Sequence, residues 1–259
     1  MKKRATAKDI VPLARIGKAS AAVPTGEAFR PEWIDFDSGI RVGNLEPAER
    51  ITQVLKYGLE QRHGTPFVTD RWGRGVFWQW ICWLPRANRE AKPVSNRVNF
   101  GCAKLFISID RDTRVFEFGL QVERGYIHDA AAASGGAGWV LQEDWDWHRL
   151  LKQCANGTPL DDEVRRLVLR EGFVAEVNGG DAGALSSAAG IRAAARKCPP
   201  DQWAGFQLYY PMPEKEVHSC TGFELVTAIL GAFGEVVPVM NMCMQVPLAA
   251  VPQAPRVRL

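Results

Sequence analysis

The sequence predicts an α+β fold, a mixed or antiparallel sheet centred on one β-hairpin with helices packed on it, and three observations support this. Residues 104–110 and 114–123 alternate apolar and polar side chains, the period of a half-buried strand. Segments on either side of them carry helical spacing or helix-start signals. The resulting order is helix, strand, hairpin, several helices, strand, helix. That is neither a β-α alternation nor the even strand spacing of an all-β protein.

The first helix is expected from about Glu46 to Arg62. Pro47 suits its first turn, Ile51, Val54, Leu55 and Leu59 share one face, and His63-Gly64 ends it. The run from Val76 to Leu84, bounded by Gly75 and Pro85, is apolar on both faces and reads as a central strand covered on each side.

In the hairpin, closing the chain over Asp112-Thr113 pairs residues whose numbers sum to 225. Leu105 then faces Leu120, Ile107 faces Phe118, and Ile109 faces Phe116. A slip of one residue would set Phe116 against Ser108 or Asp110, so the apolar pairs fix the register. Asp-Thr is poor chemistry for a two-residue turn, and a four-residue loop preserves the same register.

Beyond it, Ala130 to Gly138 reads as a loop and Asp144 to Asn156 as a helix. A second helix runs from Thr158-Pro159 to Arg170, with acids in its first turn and arginines later, as the helix dipole favours. Phe173 to Val177 is a candidate strand, Ser187 to Lys197 a short helix, and Gly205 to Tyr210 a strand. Thr221-Gly-Phe-Glu224 is a capping box that opens a last helix to about Phe233, and Val236 to Met242 closes the fold.

Residues 31–249 are expected to form a single domain between a flexible basic arm, 1–30, and a flexible tail, 250–259. The arm carries seven Lys or Arg against Asp9 and Glu27, and the tail carries Arg256 and Arg258. Taking +5 and +2 from the net charge of +3 leaves −4 for residues 31–255, so the basic character belongs to the ends. No run of apolar residues reaches the 18 or so of a membrane span, and no apolar h-region follows Met1-Lys2-Lys3-Arg4, so a secretory signal is not expected. Six cysteines without a C-x-x-C pair point to a reducing, cytoplasmic setting and away from a disulfide framework.

Four sets of residues carry candidate chemistry. The first is the polar face of the hairpin, where Asp110, Glu117, Gln121, Glu123 and Lys104 fall on one side. Carboxylates on adjacent strands with a lysine beside them suit a divalent cation and phosphodiester hydrolysis; the plainer reading is a solvated sheet face. The second is the basic segment 71–97, with Arg71, Trp72, Arg74, Arg86, Arg89, Lys92 and Arg97 against Asp70 and Glu90. Arginines suit phosphate, Asn88 and Asn96 suit base edges, and Trp72 suits stacking on a base; an ordinary solvated connection has the same composition.

The third set is the tryptophans, Trp72, Trp78, Trp80, Trp83, Trp139, Trp145, Trp147 and Trp203, of which two or three at one concave site would make an aromatic cage. Core packing is the default for Trp78, Trp80, Trp83 and Trp147. The fourth is histidine: His148 with Asp144 four residues before it, and the run His218-Ser-Cys220. His63 and His128 complete no metal site. The glycine-rich stretches 134–138 and 178–183 lack phosphate-loop spacing, and neither G-x-S-x-G nor H-E-x-x-H occurs.

Two functions follow. A non-catalytic binding module would contact nucleic acid or an acidic partner protein through 71–97, with no cofactor and no membrane. A metal-dependent hydrolase or nuclease would use Asp110, Glu117 and Glu123 as ligands of a divalent metal, with Lys104 assisting; it requires the three carboxylates to converge. A structural subunit of a larger bacterial assembly is a third reading without a sequence signature of its own.

Overall fold

Leu105 faces Leu120, Ile107 faces Phe118 and Ile109 faces Phe116 in the computed structural model, the register that the apolar pairs dictate. The model describes residues 25–92, 101–124, 126–128, 139–141, 145–178, 184–199 and 202–249. In chain order the elements are β1 (Ile34–Asp35), β2 (Gly39–Arg41), α1 (Ile51–His63), β3 (Phe67–Arg74), β4 (Phe77–Pro85), α2 (Arg86–Glu90), β5 (Ala103–Asp110), β6 (Val115–Glu123), β7 (Tyr126–His128), β8 (Trp139–Leu141), α3 (Asp146–Gln153), α4 (Pro159–Arg170), β9 (Val174–Asn178), α5 (Ala188–Lys197), β10 (Gly205–Pro213), α6 (Glu214–Ser219) and α7 (Gly222–Cys243).

Eight strands form one antiparallel sheet in the order β1-β2-β4-β5-β6-β10-β9, with β3 on the other side of β4; β7 and β8 pair separately. This is the α+β architecture that the sequence predicts, with the hairpin β5–β6 at its centre. The hairpin closes through the four-residue loop Arg111–Arg114, because Asp110 pairs with Val115 and its Oδ1 accepts from the amides of Asp112 and Thr113.

One face of the sheet carries the main core. Ile81 and Trp83 of β4, Leu105 and Ile107 of β5, Phe116 to Val122 at alternate positions of β6, and Phe206 and Leu208 of β10 are buried there. Helix α7 lies on this face against β5, β6 and β10, flanked by α1, α3 and α4. Trp83 donates from Nε1 to the Thr52 carbonyl at 3.2 Å and its ring meets Phe233 of α7 at 6.0 Å, so a polar tip is satisfied inside the core.

Most helix ends follow their local chemistry. Gly64, at φ 62, caps α1; Thr158 and Ser187 cap α4 and α5; Thr221 and Glu224 form the reciprocal capping box of α7.

Several sequence expectations are corrected. Helix α1 begins at Ile51, because residues 46–50 form a turn in which Glu49 Oε2 holds the Glu46 amide. Residues 236–242 are not a separate closing segment. They continue α7 through Pro238, where burial of Val236, Val239, Met240 and Cys243 outweighs the helix bond that proline cannot make. Residues 25–30 belong to the body: Phe29 is buried, and Gly26 sits so close to Val226 of α7 that a Cβ would lie 2.8 Å from it. The rest of the expected arm, 1–24, and the tail, 250–259, fall outside the described residues.

Helix α7 is long and apolar enough to cross a membrane by length and composition; here half of it is buried within the fold. All six cysteines are free thiols, and burial pushes Cys102 up to about 11 and Cys154 up to about 12.

Candidate ligand-binding site

The alternation that sends Leu105, Ile107 and Phe118 into the main core sends Lys104, Ser108, Glu117, Gln121 and Glu123 to the opposite face. The sequence suggests a solvated face. Instead Lys104, Gln121 and Glu123 are buried, each less than 5% exposed. Their polar groups are matched to one another across the strands. The Lys104 ammonium donates to Glu123 Oε2 at 2.6 Å, and Gln121 Nε2 donates to Glu123 Oε1 at 2.5 Å. Gln121 Oε1 accepts from Gln207 Nε2 at 2.9 Å and from Trp80 Nε1 at 3.1 Å, and Gln207 Oε1 accepts from Asn178 Nδ2 at 2.7 Å. Such a chain tolerates burial because every member has a partner.

A cleft of about 690 Å³ opens over this chain. Lys104, Ser108, Gln121, Glu123 and Gln207 form its polar floor, and Trp72, Trp80 and Trp203 are its aromatic walls, with Asp70 and Arg71 at the β3 side. Trp72 is 69% exposed and Trp203 44% exposed, unusual for the largest apolar side chain. Trp80 is half-buried, with the Lys104 ammonium 5.5 Å from its ring centroid. The volume suits a small organic ligand, and the combination of aromatic walls with a few convergent polar groups is the usual build of such a site.

The hairpin carboxylates do not converge. Glu117 and Glu123 lie six residues apart on one strand, roughly 20 Å at strand rise. Glu123 is held by Lys104, Glu117 accepts from Ser108 Oγ at 2.7 Å, and Asp110 is spent on its own turn. Among the described residues no three His, Cys, Asp or Glu side chains are placed to hold a metal ion. The expected ligand set for a divalent metal is therefore corrected: strand geometry separates what the alternation places on one face.

Glu117 is nonetheless unusual. Burial first, then the nearby charges of Glu176 and Asp110, raise its carboxyl to about 7 against the stabilising bond from Ser108. Glu176 is raised as well, again by burial.

The basic segment 71–97 is divided by the fold. Arg71, Trp72 and Arg74 lie on β3, a strand missing from the sequence reading, while Arg86 and Arg89 lie on α2 at the far end of the β3–β4 ribbon. Arg74 pairs with Phe77, so nine residues of extended chain, roughly 30 Å, part it from Arg86. Lys92 is not a surface cation. It is buried in an ion pair, 2.8 Å from Asp146 Oδ1, because α3 brings Asp146 across the end of α2. Asn88, read from sequence as a base-edge reader, is fully buried in the same knot: its Nδ2 donates to Asp146 Oδ2 at 2.7 Å. Arg97 and Asn96 fall outside the described residues.

Of the other candidates, His218 Nε2 sits 3.4 Å from the Ile34 carbonyl and Ser219 Oγ donates to the Glu216 carbonyl, so the His-Ser-Cys run is not a catalytic arrangement. Asp144 and the side chains of His128 and Trp139 fall outside the described residues, while Trp83, Trp145 and Trp147 are core.

Gln207 escapes site prediction from sequence, and although the tryptophan set includes Trp72, Trp80 and Trp203, nothing local marks which of its members are exposed or places residue 203 beside residue 72. Compared with known protein families, curated proteins and solved structures, the chain matches none.

Proposed function

We propose that this chain is a non-catalytic binding module for single-stranded nucleic acid, taking a base into the cleft of Trp72, Trp80 and Trp203. The observation that carries the reading is the exposure of Trp72 and Trp203 on the walls of one cleft whose floor is hydrogen-bonding side chains. Aromatic faces stack on bases whatever their sequence, and the amide and carboxylate floor offers partners to ring nitrogens and exocyclic groups. Arg71 and Arg74, beside Trp72 on the same exposed strand, supply phosphate contacts next to the stacking surface. An organic cation is a poorer fit, because the Lys104 ammonium already occupies the neighbourhood of Trp80.

The test is binding of a short oligonucleotide to wild type and to Trp72→Ala, Trp203→Ala, Arg74→Glu and Arg86→Glu, followed by tryptophan fluorescence. Each tryptophan substitution is expected to cost about 1–3 kcal/mol of affinity. Arg74→Glu should weaken binding and flatten its salt dependence, while Arg86→Glu, at the far end of the ribbon, leaves both unchanged. An affinity indifferent to both tryptophans would remove the base-stacking reading.

A further inference from the structure

A second cleft, of about 480 Å³, lies on the other side of β3. Thr69 and Arg71 of β3, Arg50, Thr52 and Gln53 at the start of α1, and Trp78 of β4 line it. The Arg71 guanidinium carbon lies over the Trp78 ring, 3.7 Å from its centroid, a cation–π contact that holds the guanidinium in this cleft. Arg50 donates from Nη2 to the Leu45 carbonyl at 2.6 Å, which fixes that guanidinium at the mouth of α1. Neither arginine has a carboxylate partner among the described residues.

Two polar atoms here are buried without a hydrogen-bond partner, Arg50 Nε and Thr69 Oγ1. A buried donor without a partner is costly to a fold, so two at one cleft favour an acceptor there. Helix α1 opens beside them with no side-chain cap, because the Arg50 side chain at the N-cap position carries no acceptor, although its carbonyl accepts from the Gln53 amide. Asp70 also lines the cleft, but its Oδ1 is occupied by the Arg71 amide at 2.8 Å, and the lining keeps a net positive charge from Arg50 and Arg71.

We infer that this second cleft binds a phosphate group, held by the Arg50 and Arg71 guanidinium groups with Thr69 Oγ1 as a further donor. Two guanidinium forks, a hydroxyl and a helix N-terminus are the donors that a tetrahedral oxyanion accepts from. The inference does not depend on a base entering the tryptophan cleft. The phosphate comes either from a free phosphate ester or from a nucleotide that also reaches the tryptophans, since Arg71 belongs to both clefts.

The experiment is calorimetric titration of the full chain with inorganic phosphate at low salt, for wild type, Arg71→Gln and Thr69→Val. Arg71 is exposed and makes no side-chain hydrogen bond recorded among the described residues, so Arg71→Gln tests the site without the risk of unfolding; Thr69→Val keeps the shape and removes the donor. Saturable binding by wild type is expected, weakened at least tenfold in Arg71→Gln and several-fold in Thr69→Val with unchanged melting temperatures. No saturable phosphate binding by wild type, or equal binding by Arg71→Gln, would overturn the inference. A second arm compares adenosine 5′-monophosphate, adenosine and phosphate. Tighter binding of the monophosphate than of phosphate, with the gain lost in Trp203→Ala, assigns the phosphate to a nucleotide; equal binding assigns it to a free phosphate ester.

Discussion

The Lys104 ammonium lies 2.6 Å from Glu123 Oε2, and both side chains are almost wholly removed from water. Burial, the largest single influence, lowers the lysine's pKa, but the facing Glu123 carboxylate, by charge and hydrogen bond, together with the nearby Cys82 and Cys102, holds the group above its ordinary value. The lysine's contribution is therefore complete below its unfolded pKa of about 10.4 and is lost as pH rises through the higher folded value. Lys104→Met, which leaves Glu123 buried and unpaired, is expected to cost about 3–5 kcal/mol in urea denaturation, and Lys104→Met with Glu123→Gln to recover most of it. A single variant as stable as wild type would show that the carboxylate reaches solvent.

A second buried carboxylate joins four parts of the chain. Asp146 of α3 accepts from Asn88 Nδ2, from Lys92 Nζ and from the Ala103 amide at 2.6 Å, and Asn88 Oδ1 accepts from the amides of Gln245 and Val246. Asp146→Ala strands Lys92 in the interior and should cost about 3–5 kcal/mol, read by thermal melting. Asn88→Ala should release the segment after α7, seen as faster amide exchange at Gln245 and Val246.

Glu117 makes stability depend on pH in the sense opposite to most carboxylates. Its folded pKa of about 7 lies above the unfolded value, so the folded state holds the proton more tightly and stability falls as pH rises from about 4.5 to 7. Glu117→Gln should be no more stable than wild type at pH 4. At pH 8 it should gain on the order of 2 kcal/mol, allowing for solvent screening of a half-buried group. Parallel stability curves for the two proteins would remove Glu117 as the source.

The capping box of α7 is a smaller term. Thr221 Oγ1 accepts the Glu224 amide at 3.2 Å while Glu224 Oε2 accepts the Thr221 amide at 2.8 Å. Thr221→Ala should lower stability by about 1 kcal/mol without changing ligand binding.

What was legible follows from the distance over which each feature is decided. Hairpin β5–β6 could be registered from sequence because its partners are separated by a short loop and every apolar pair agrees. The starts of α4 and α5 and the capping box of α7 were legible because helix-start signals involve residues only a few positions apart. Strand β3 was not, because its register shifts between Trp72 and Gly73, and Gly73 at φ 147 breaks the alternation that marks a strand. Pro238 likewise hid the length of α7, since a local rule against proline in helices yields to the burial of a whole apolar face.

By itself, then, the sequence determined which residues pair across the hairpin and where most helices start, since both are settled by side-chain period and short-range hydrogen bonding. Only the tertiary structure decided that the hairpin's polar face lies at the bottom of a cleft, that Lys92 is an interior ion-pair partner, and that Trp72, Trp80 and Trp203 line one site. The physical reason is that exposure and proximity belong to what lies across a surface, and residues 72, 104, 123 and 203 become neighbours only when the eight-stranded sheet is assembled.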